Sequence, residues 1–145
     1  MAKIKRLPQK DFQYIYSRVP RLCVDLVVTT GQGVVLTRRK IPPYIGMWHT
    51  PGGTVMKGET LAEAVQRVAQ DEIGVTVRIK KLIGILDILR DGNTGRHTVS
   101  VNFEVSSFSD CFKLNNQADK IKVFAKYPGN MILHQKRFLE KNFKF

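Results

Sequence analysis

"GGTVMKGETLAEAVQRVAQDEIGV", Gly52 to Val75, is the stretch on which the reading of this chain turns. Thr60 to Ile73 reads as a helix. Thr60 can cap its start, with Glu63 three residues on as in a capping box. Gly74 is a natural stop, because helices often end on a residue in the left-handed region that glycine enters freely. On a helical wheel Leu61, Ala64, Val65, Val68 and Ala69 form an apolar stripe. Glu63, Arg67 and Asp71 follow one another at four-residue intervals and can pair. Glu72 lies one turn past Val68, at the border of the two faces, and Glu59 enters from the loop before the helix. Glu59, Asp71 and Glu72 therefore gather near one edge, with Arg67 among them as a counter-charge. Clustered acids repel unless a cation neutralises them, and hard oxygen ligands of this kind suit Mg2+ or Mn2+. The plainer alternative is an ordinary amphipathic helix whose acids pair with Arg67 and nearby lysines. The preceding loop tips the balance: Pro51-Gly52-Gly53 and Gly58-Glu59 let backbone carbonyls turn toward the same place.

Outward from this stretch the chain alternates strands with a few helices. "PQKDFQYIYSRV" places Phe12, Ile15, Tyr16 and Val19 at helical spacing, and Pro20 ends that helix. "RLCVDLVVTT" and "GVVLTRRK" flank the turn "TTGQG" and read as a hairpin. "IPPYIGMWHTPGG" is a punctuated loop. "VTVRIKKLIGILDIL" is a long strand bent near Gly84, and "HTVSVNFEVSSF" alternates as a strand should. "DCFKLNNQADK" is a loop, "IKVFAK" a short strand. "GNMILHQKRFLEKNF" closes as a helix with Met131, Leu133 or Ile132, and Phe138 inward. This mixture argues for an α+β class, a mixed-sheet sandwich in one domain.

Composition narrows the function classes. The 145 residues are 43% hydrophobic, enough for one core. Cys23 and Cys111 are far apart and in no metal-ligand spacing, which favours two free thiols in a reducing compartment. "MAKIKRLPQKDF" lacks the apolar stretch of a secretory signal, and no apolar run reaches membrane-spanning length. The expectation is a soluble cytoplasmic protein with no membrane partner. The net charge of +12 favours anionic partners. Its lysines and arginines are dispersed, so a basic surface is favoured over dedicated nucleic-acid binding.

The quoted stretch resembles a Nudix box. Gly53, Glu59, Arg67, Glu72, Gly74 and Val75 match its pattern in order and spacing. Asp71 stands for a glutamate, Ala69 fills an aliphatic slot, and Val68 replaces a glutamate that in many such enzymes is a metal ligand or general base. "GMWHTPGG" resembles the usual approach to the box. "KDFQYIYSRVPRLCVDLVV", "VLTRRK" and "MWHTPGGTVMKGETL" further resemble the GDP-mannose mannosyl hydrolase branch, which lacks the glutamate that Val68 replaces.

The resemblance implies an α/β/α sandwich with a mixed sheet and a loop-helix-loop at 52–75, preceded by an N-terminal helical extension at 1–20. It implies a hydrolase of a nucleoside diphosphate linked to another moiety, such as GDP-mannose, attacked at the sugar's anomeric carbon. It implies Mg2+ (or Mn2+) on the Gly52 carbonyl, Glu72 and Gln117, with Glu59 and Asp71 as further acids. Arg67, Glu72 and Asp71 would carry catalysis, and Asp25, Arg39 and Arg67 would face the substrate. A homodimer is implied too, although the N-terminal helix could instead cover its own core. Two positions depart from the branch: Thr54 replaces an arginine and Ala118 the histidine base. His97 and His49 are then candidate bases, and Asp71 could restore attack on phosphorus. The rival expectation is a catalytically weak Nudix-fold module that binds nucleotide or RNA. From strand alternation alone, Asp25 shares the more open face of its strand with Cys23 and Val27.

Overall fold

The computed structural model describes residues 5–145. Residues 1–4 of the expected N-terminal extension lie outside the described residues. Helix α1 (Gln9–Tyr16) is followed by strands β1 (Arg21–Thr30), β2 (Gly33–Arg39), β3 (Trp48–His49) and β4 (Gly52–Thr54). Helix α2 (Leu61–Ile73), strands β5 (Val77–Asp91), β6 (Arg96–Ser107) and β7 (Ala118–Phe124), and helix α3 (Leu133–Asn142) complete the chain. No helix among the described residues is long and apolar enough to cross a membrane.

The seven strands form one mixed sheet in the order β3-β2-β1-β6-β5, with β4 also on β1 and β7 also on β2. β1 and β6 run parallel in continuous register from Arg21↔Thr98 to Thr29↔Ser106, and the other pairs are antiparallel. β1 is paired on both edges and covered on both faces, which is why it reads as nearly continuous Val and Leu. β5 bulges at Ile79/Lys81 and Leu82/Gly84, so the bend expected near Gly84 is present.

Alternation along these strands builds two cores. Val24, Leu26, Val28, Val35 and Val105 pack under Ala64, Val65, Val68, Ala69 and Ile73 of α2. Val27, Val34, Leu36 and Trp48 pack on the opposite face under Met131, Leu139 and Phe143. The result is the α/β/α sandwich with a mixed sheet that the resemblance implies.

Three details differ from the sequence reading. Leu61 is 37% exposed and Ile73 takes its place in the buried stripe of α2, because the stripe starts one turn into the helix. Ile132 points inward and Leu133 outward, since α3 begins at Leu133 and turns that side chain to solvent. The face of β1 that carries Asp25 is not open. Its neighbours Cys23 and Val27 are buried, Val27 beneath the C-terminal helix. That helix's position is set by tertiary packing, which strand alternation cannot register. α1 buries no residue fully; Phe12, Ile15 and Tyr16 are half-buried along one side.

Candidate active site

Helix α2 fixes one edge of the site. The Thr60 hydroxyl accepts the Glu63 N–H at 3.1 Å and donates to the Glu63 carboxylate, and Gly74 closes the helix at φ 68°. From this helix Arg67 donates twice to Glu59, Nε to Oε2 at 2.7 Å and Nη2 to Oε1 at 3.0 Å. It also donates to the Thr54 carbonyl at 2.7 Å and reaches Asp71 at 3.4 Å. Glu59 is 2% exposed at its side chain and further accepts the Met56 N–H at 2.8 Å. Burial alone would raise the Glu59 pKa, but the Arg67 and Met56 hydrogen bonds outweigh it and hold the carboxyl below its usual range. Asp71 is bonded by Arg6 as well as by Arg67. Glu59, Arg67, Asp71 and Arg6 thus form one neutralised network that pins the loop after β4 to the helix.

Glu72 is different. Its side-chain partner is a neutral amide, Asn115 Nδ2 at 2.8 Å. Burial, reinforced by the neighbouring Asp71 charge, pushes its pKa up, and the Asn115 bond offsets this only in part. The same Asn115 accepts the Gln117 N–H at 2.9 Å, so the turn carrying the exposed Gln117 lies beside Glu72. The Gln117 carbonyl accepts from Lys40 N–H at 3.0 Å and ties that turn to the end of β2.

Val68 does not share this edge. It is 1% exposed, inside the core under α2, and a Cβ placed on Gly53 would lie 3.2 Å from its Cγ2. Gly52 pairs with Asp25 across β1 and β4. A Cβ at Gly52 would fall 2.0 Å from Asp25 Oδ1, so any side chain there would displace that carboxylate. Asp25 is held by the Ser100 hydroxyl; burial pushes its carboxyl up to about 6, against the pull of Ser100 and Arg21.

Asp25 opens onto a polar region on the α3 side of the sheet. Thr98, Ser100 and Asn102 of β6 are all buried there. Arg21 donates to Thr54 at 3.1 Å and Thr98 at 3.4 Å, and lies 3.9 Å from Asp91. Asp91 accepts from the Tyr44 hydroxyl at 3.0 Å and from Thr98 at 3.3 Å. His134 Nε2 is 3.4 Å from Asp91 and 3.3 Å from the Tyr44 oxygen. Burial would raise the Asp91 pKa, yet His134 and Tyr44 outweigh it and keep the carboxyl low.

Arg39 joins the two halves. Its guanidinium donates to the carbonyls of Pro42 and Pro43. Burial lowers its pKa while the charges of Glu72 and Asp91 work the other way. Arg38, by alternation, points elsewhere and pairs with Asp119 at 2.7 Å.

Neither histidine singled out from the sequence joins this group. His49 hydrogen-bonds Thr37 at 3.1 Å, and burial, followed by the Arg39 charge, pushes its ring down to about 3. His97 pairs with Asp87 at 2.7 Å and, by alternation, faces away from Thr98 and Ser100. The sequence reading missed Arg21, Tyr44, Asp91, Ser100 and His134. The one local signal for them was the polar set Thr98, Ser100, Asn102 on alternate positions of β6.

The chemistry of the donors bears on a divalent cation. Glu72, a partly desolvated acid with only an amide partner, fits one; Glu59 and Asp71 already have Arg67. Among the described residues no group of three or more His, Cys, Asp or Glu side chains is arranged to hold a metal.

Residues 19–125 match the family model of the NUDIX domain. The chain belongs to the Nudix family. It is 37% identical over 124 residues to low-salt glycan biosynthesis protein Agl8 of Haloferax volcanii, covering 82% of this chain and 80% of that protein. It is 30% identical over 105 residues to an ADP-ribose pyrophosphatase of Methanocaldococcus jannaschii, covering 72% of this chain and 62% of that one. Its fold matches the crystal structure of a MutT NUDIX hydrolase from Burkholderia pseudomallei with a TM-score of 0.78 at 24% identity, over 88% of this chain and 100% of that chain. This Nudix hydrolase therefore belongs to a family that generally uses divalent metals and nucleotide-linked substrates.

Proposed function

We propose that this Nudix hydrolase cleaves a nucleoside diphosphate linked to a second moiety, a nucleotide sugar such as GDP-mannose. One observation carries the reading. Arg39 lies between two groups: its neighbour Lys40 holds the Gln117 turn beside Glu72, an acid bonded only by an amide, and its own guanidinium holds the carbonyls just before Tyr44, which bonds the buried polar set of Asp91, Arg21, Ser100 and Asp25. The first half suits a diphosphate with its cation and the second suits a hydroxyl-bearing group. The names of two relatives support the same class. One is a glycan biosynthesis protein, and the other acts on ADP-ribose, itself a nucleoside diphosphate joined to a sugar.

In this reading Glu72, the Gly52 carbonyl and Gln117 hold Mg2+ or Mn2+. Such an ion, when bound, neutralises the charge of a diphosphate leaving group. Arg39 orients the diphosphate and Asp25 the sugar. Arg67 keeps Glu59 and the β4 loop in place, and Asp71 shares in that network. The core position of Val68 leaves Glu72 as the helix's working acid. A reducing, cytoplasmic setting fits the free Cys23, whose thiol burial pushes up to about 12, and the free Cys111. A homodimer belongs to the same reading, and sedimentation at micromolar concentration tests it.

The experiment is a turnover panel of nucleotide sugars, ADP-ribose, dinucleotides and nucleoside triphosphates with Mg2+ or Mn2+. Cleavage of a nucleotide sugar is expected, and a folded protein that cleaves none of them refutes the reading. Reaction in 18O-water separates the two chemistries: label in the released sugar means attack on carbon, label in the phosphate means attack on phosphorus. A second reading, a weak nucleotide- or RNA-binding module, is favoured by the +12 charge. It requires RNA affinity that falls steeply with salt, and negligible affinity at low salt removes it.

A further inference from the structure

Buried polar side-chain atoms without a partner are rare in folded proteins, and each calls for an explanation. Among the described residues three are found: Arg21 Nε, Thr50 Oγ1 and His134 Nδ1. Two of these three, Arg21 and His134, flank the same carboxylate, Asp91. That carboxylate also holds Tyr44, the one non-glycine among the described residues with positive φ, at 67°. A bulky residue in this conformation costs of order 1–3 kcal/mol and persists where its surroundings over-determine it. Here the Tyr44 hydroxyl is fixed by Asp91 and His134, and the two carbonyls just before it are fixed by Arg39. The four side chains come from four separate elements: β1, the loop between β2 and β3, the end of β5 and the start of α3. An open cavity of about 300 Å3, lined by Pro42, Pro43, Tyr44, Ile45, Gly92 and Asn93, adjoins the cluster.

We infer that Tyr44, Asp91, His134 and Arg21 form the subsite that reads the moiety attached to the diphosphate, and that this moiety is a sugar recognised through its hydroxyls. The inference rests on the nucleotide-sugar reading above and deepens it. Both nitrogens are shielded from solvent behind Tyr44, which lines the cavity, and a hydroxyl entering there is the group that can accept from Arg21 Nε or either donate to or accept from His134 Nδ1. A second phosphate would be drawn to Arg21 but repelled by Asp91, 3.9 Å from it. An apolar group would leave both orphan nitrogens unpaired. Arg39 holds the two carbonyls just before Tyr44, and its neighbour Lys40 holds the Gln117 turn beside Glu72, so the sugar subsite borders the diphosphate site.

The chain has only three histidines, His49, His97 and His134, so ring NMR can test this without turnover. The wild-type protein is titrated with millimolar mannose, glucose and ribose, the His134 signals being assigned with His134→Gln. The inference predicts that the His134 ring resonances move with at least one sugar while those of His97 do not, and that Tyr44→Phe abolishes the movement. No movement with any sugar, or equal movement at His97, overturns it. On a substrate that the panel identifies, Tyr44→Phe and His134→Gln are expected to lower kcat/KM roughly tenfold, the loss of one hydrogen bond to a charged group. Affinity for the free nucleoside diphosphate should stay within about twofold, since those contacts lie elsewhere. Parallel loss of nucleoside diphosphate affinity would make these residues structural. Sugar-dependent shifts without any turnover would instead leave the subsite standing and strike at the hydrolase reading alone.

Discussion

Strands β1 and β6 lie side by side and present opposite chemistry to the two helices. Toward α2 they offer Val24, Leu26, Val28, Phe103 and Val105, an apolar surface with no titratable group. Toward α3 the same strands offer Asp25, Thr98, Ser100 and Asn102, with Cys23 and Val27 between, and nearly all of it is buried too. The α2 face makes the fold; the α3 face gives up apolar packing over part of its length to make a site. Buried polar groups are costly unless bonded, so the second face has been filled with mutual partners: Asp25 with Ser100, Thr98 with Asp91, Arg21 with Thr54.

The contrast can be broken most severely at Val68. Val68→Glu restores the usual box residue but puts an unpaired carboxylate under α2. It is expected to cost about 3–5 kcal/mol of stability, the scale of an uncompensated buried charge, measured by urea unfolding. Unchanged stability with a gain in Mg2+ affinity would mean that this position faces the cation and that the two faces are less separate than described.

Asp25 provides the next largest effect, on the polar face. Its carboxyl stands at about 6 in the folded protein, raised chiefly by burial from 3.8. The folded state therefore holds this proton more tightly than the unfolded chain. Stability from the protonated form is present below about pH 4 and is lost as pH rises through 6. The shift is worth about 3 kcal/mol. Asp25→Asn should match the wild type at pH 4 and exceed its stability at pH 8 by about 2–3 kcal/mol, while impairing turnover. Thermal unfolding at the two pH values checks this; an asparagine variant less stable at both would show the charge to be well solvated.

How much of this was legible follows the range of the interactions. The α2 segment was readable because its determinants are local: the Thr60 cap, the Gly74 stop, and the spacing of Ala64, Val65, Val68 and Ala69. The pairing of Arg67 with Glu59 and Asp71 was also within reach, one or two turns away. The α3 side was not. "HTVSVNFEV" alternates as any half-exposed strand does, and nothing within it tells that Thr98, Ser100 and Asn102 lie under cover. Asp91 meets His134 only because the C-terminal helix folds back onto β5. Tyr44 joins them from a loop in which it takes a left-handed conformation although it is not a glycine. Asp25 looked open for the same reason: alternation separates the faces of a strand but does not say what covers each.

The smallest test sharpens the local side of the comparison. Thr60→Ala removes the hydroxyl that accepts the Glu63 N–H and should cost about 1 kcal/mol. Its effect on turnover should be slight, since Arg67 would still hold Glu59. A collapse of activity with intact folding would mean that the helix start positions the chemistry directly.

The claim beneath all of this is that Glu72, bonded by the Asn115 amide and not by an arginine as Glu59 and Asp71 are, is there to meet a cation with the substrate's diphosphate. Mn2+ binding followed by electron paramagnetic resonance, with and without GDP, tests it on the wild type and on Glu72→Gln. The account predicts Mn2+ binding to the wild type that GDP strengthens, and a loss of roughly 10- to 100-fold or more in Glu72→Gln. Equal Mn2+ affinity in the two proteins would contradict it.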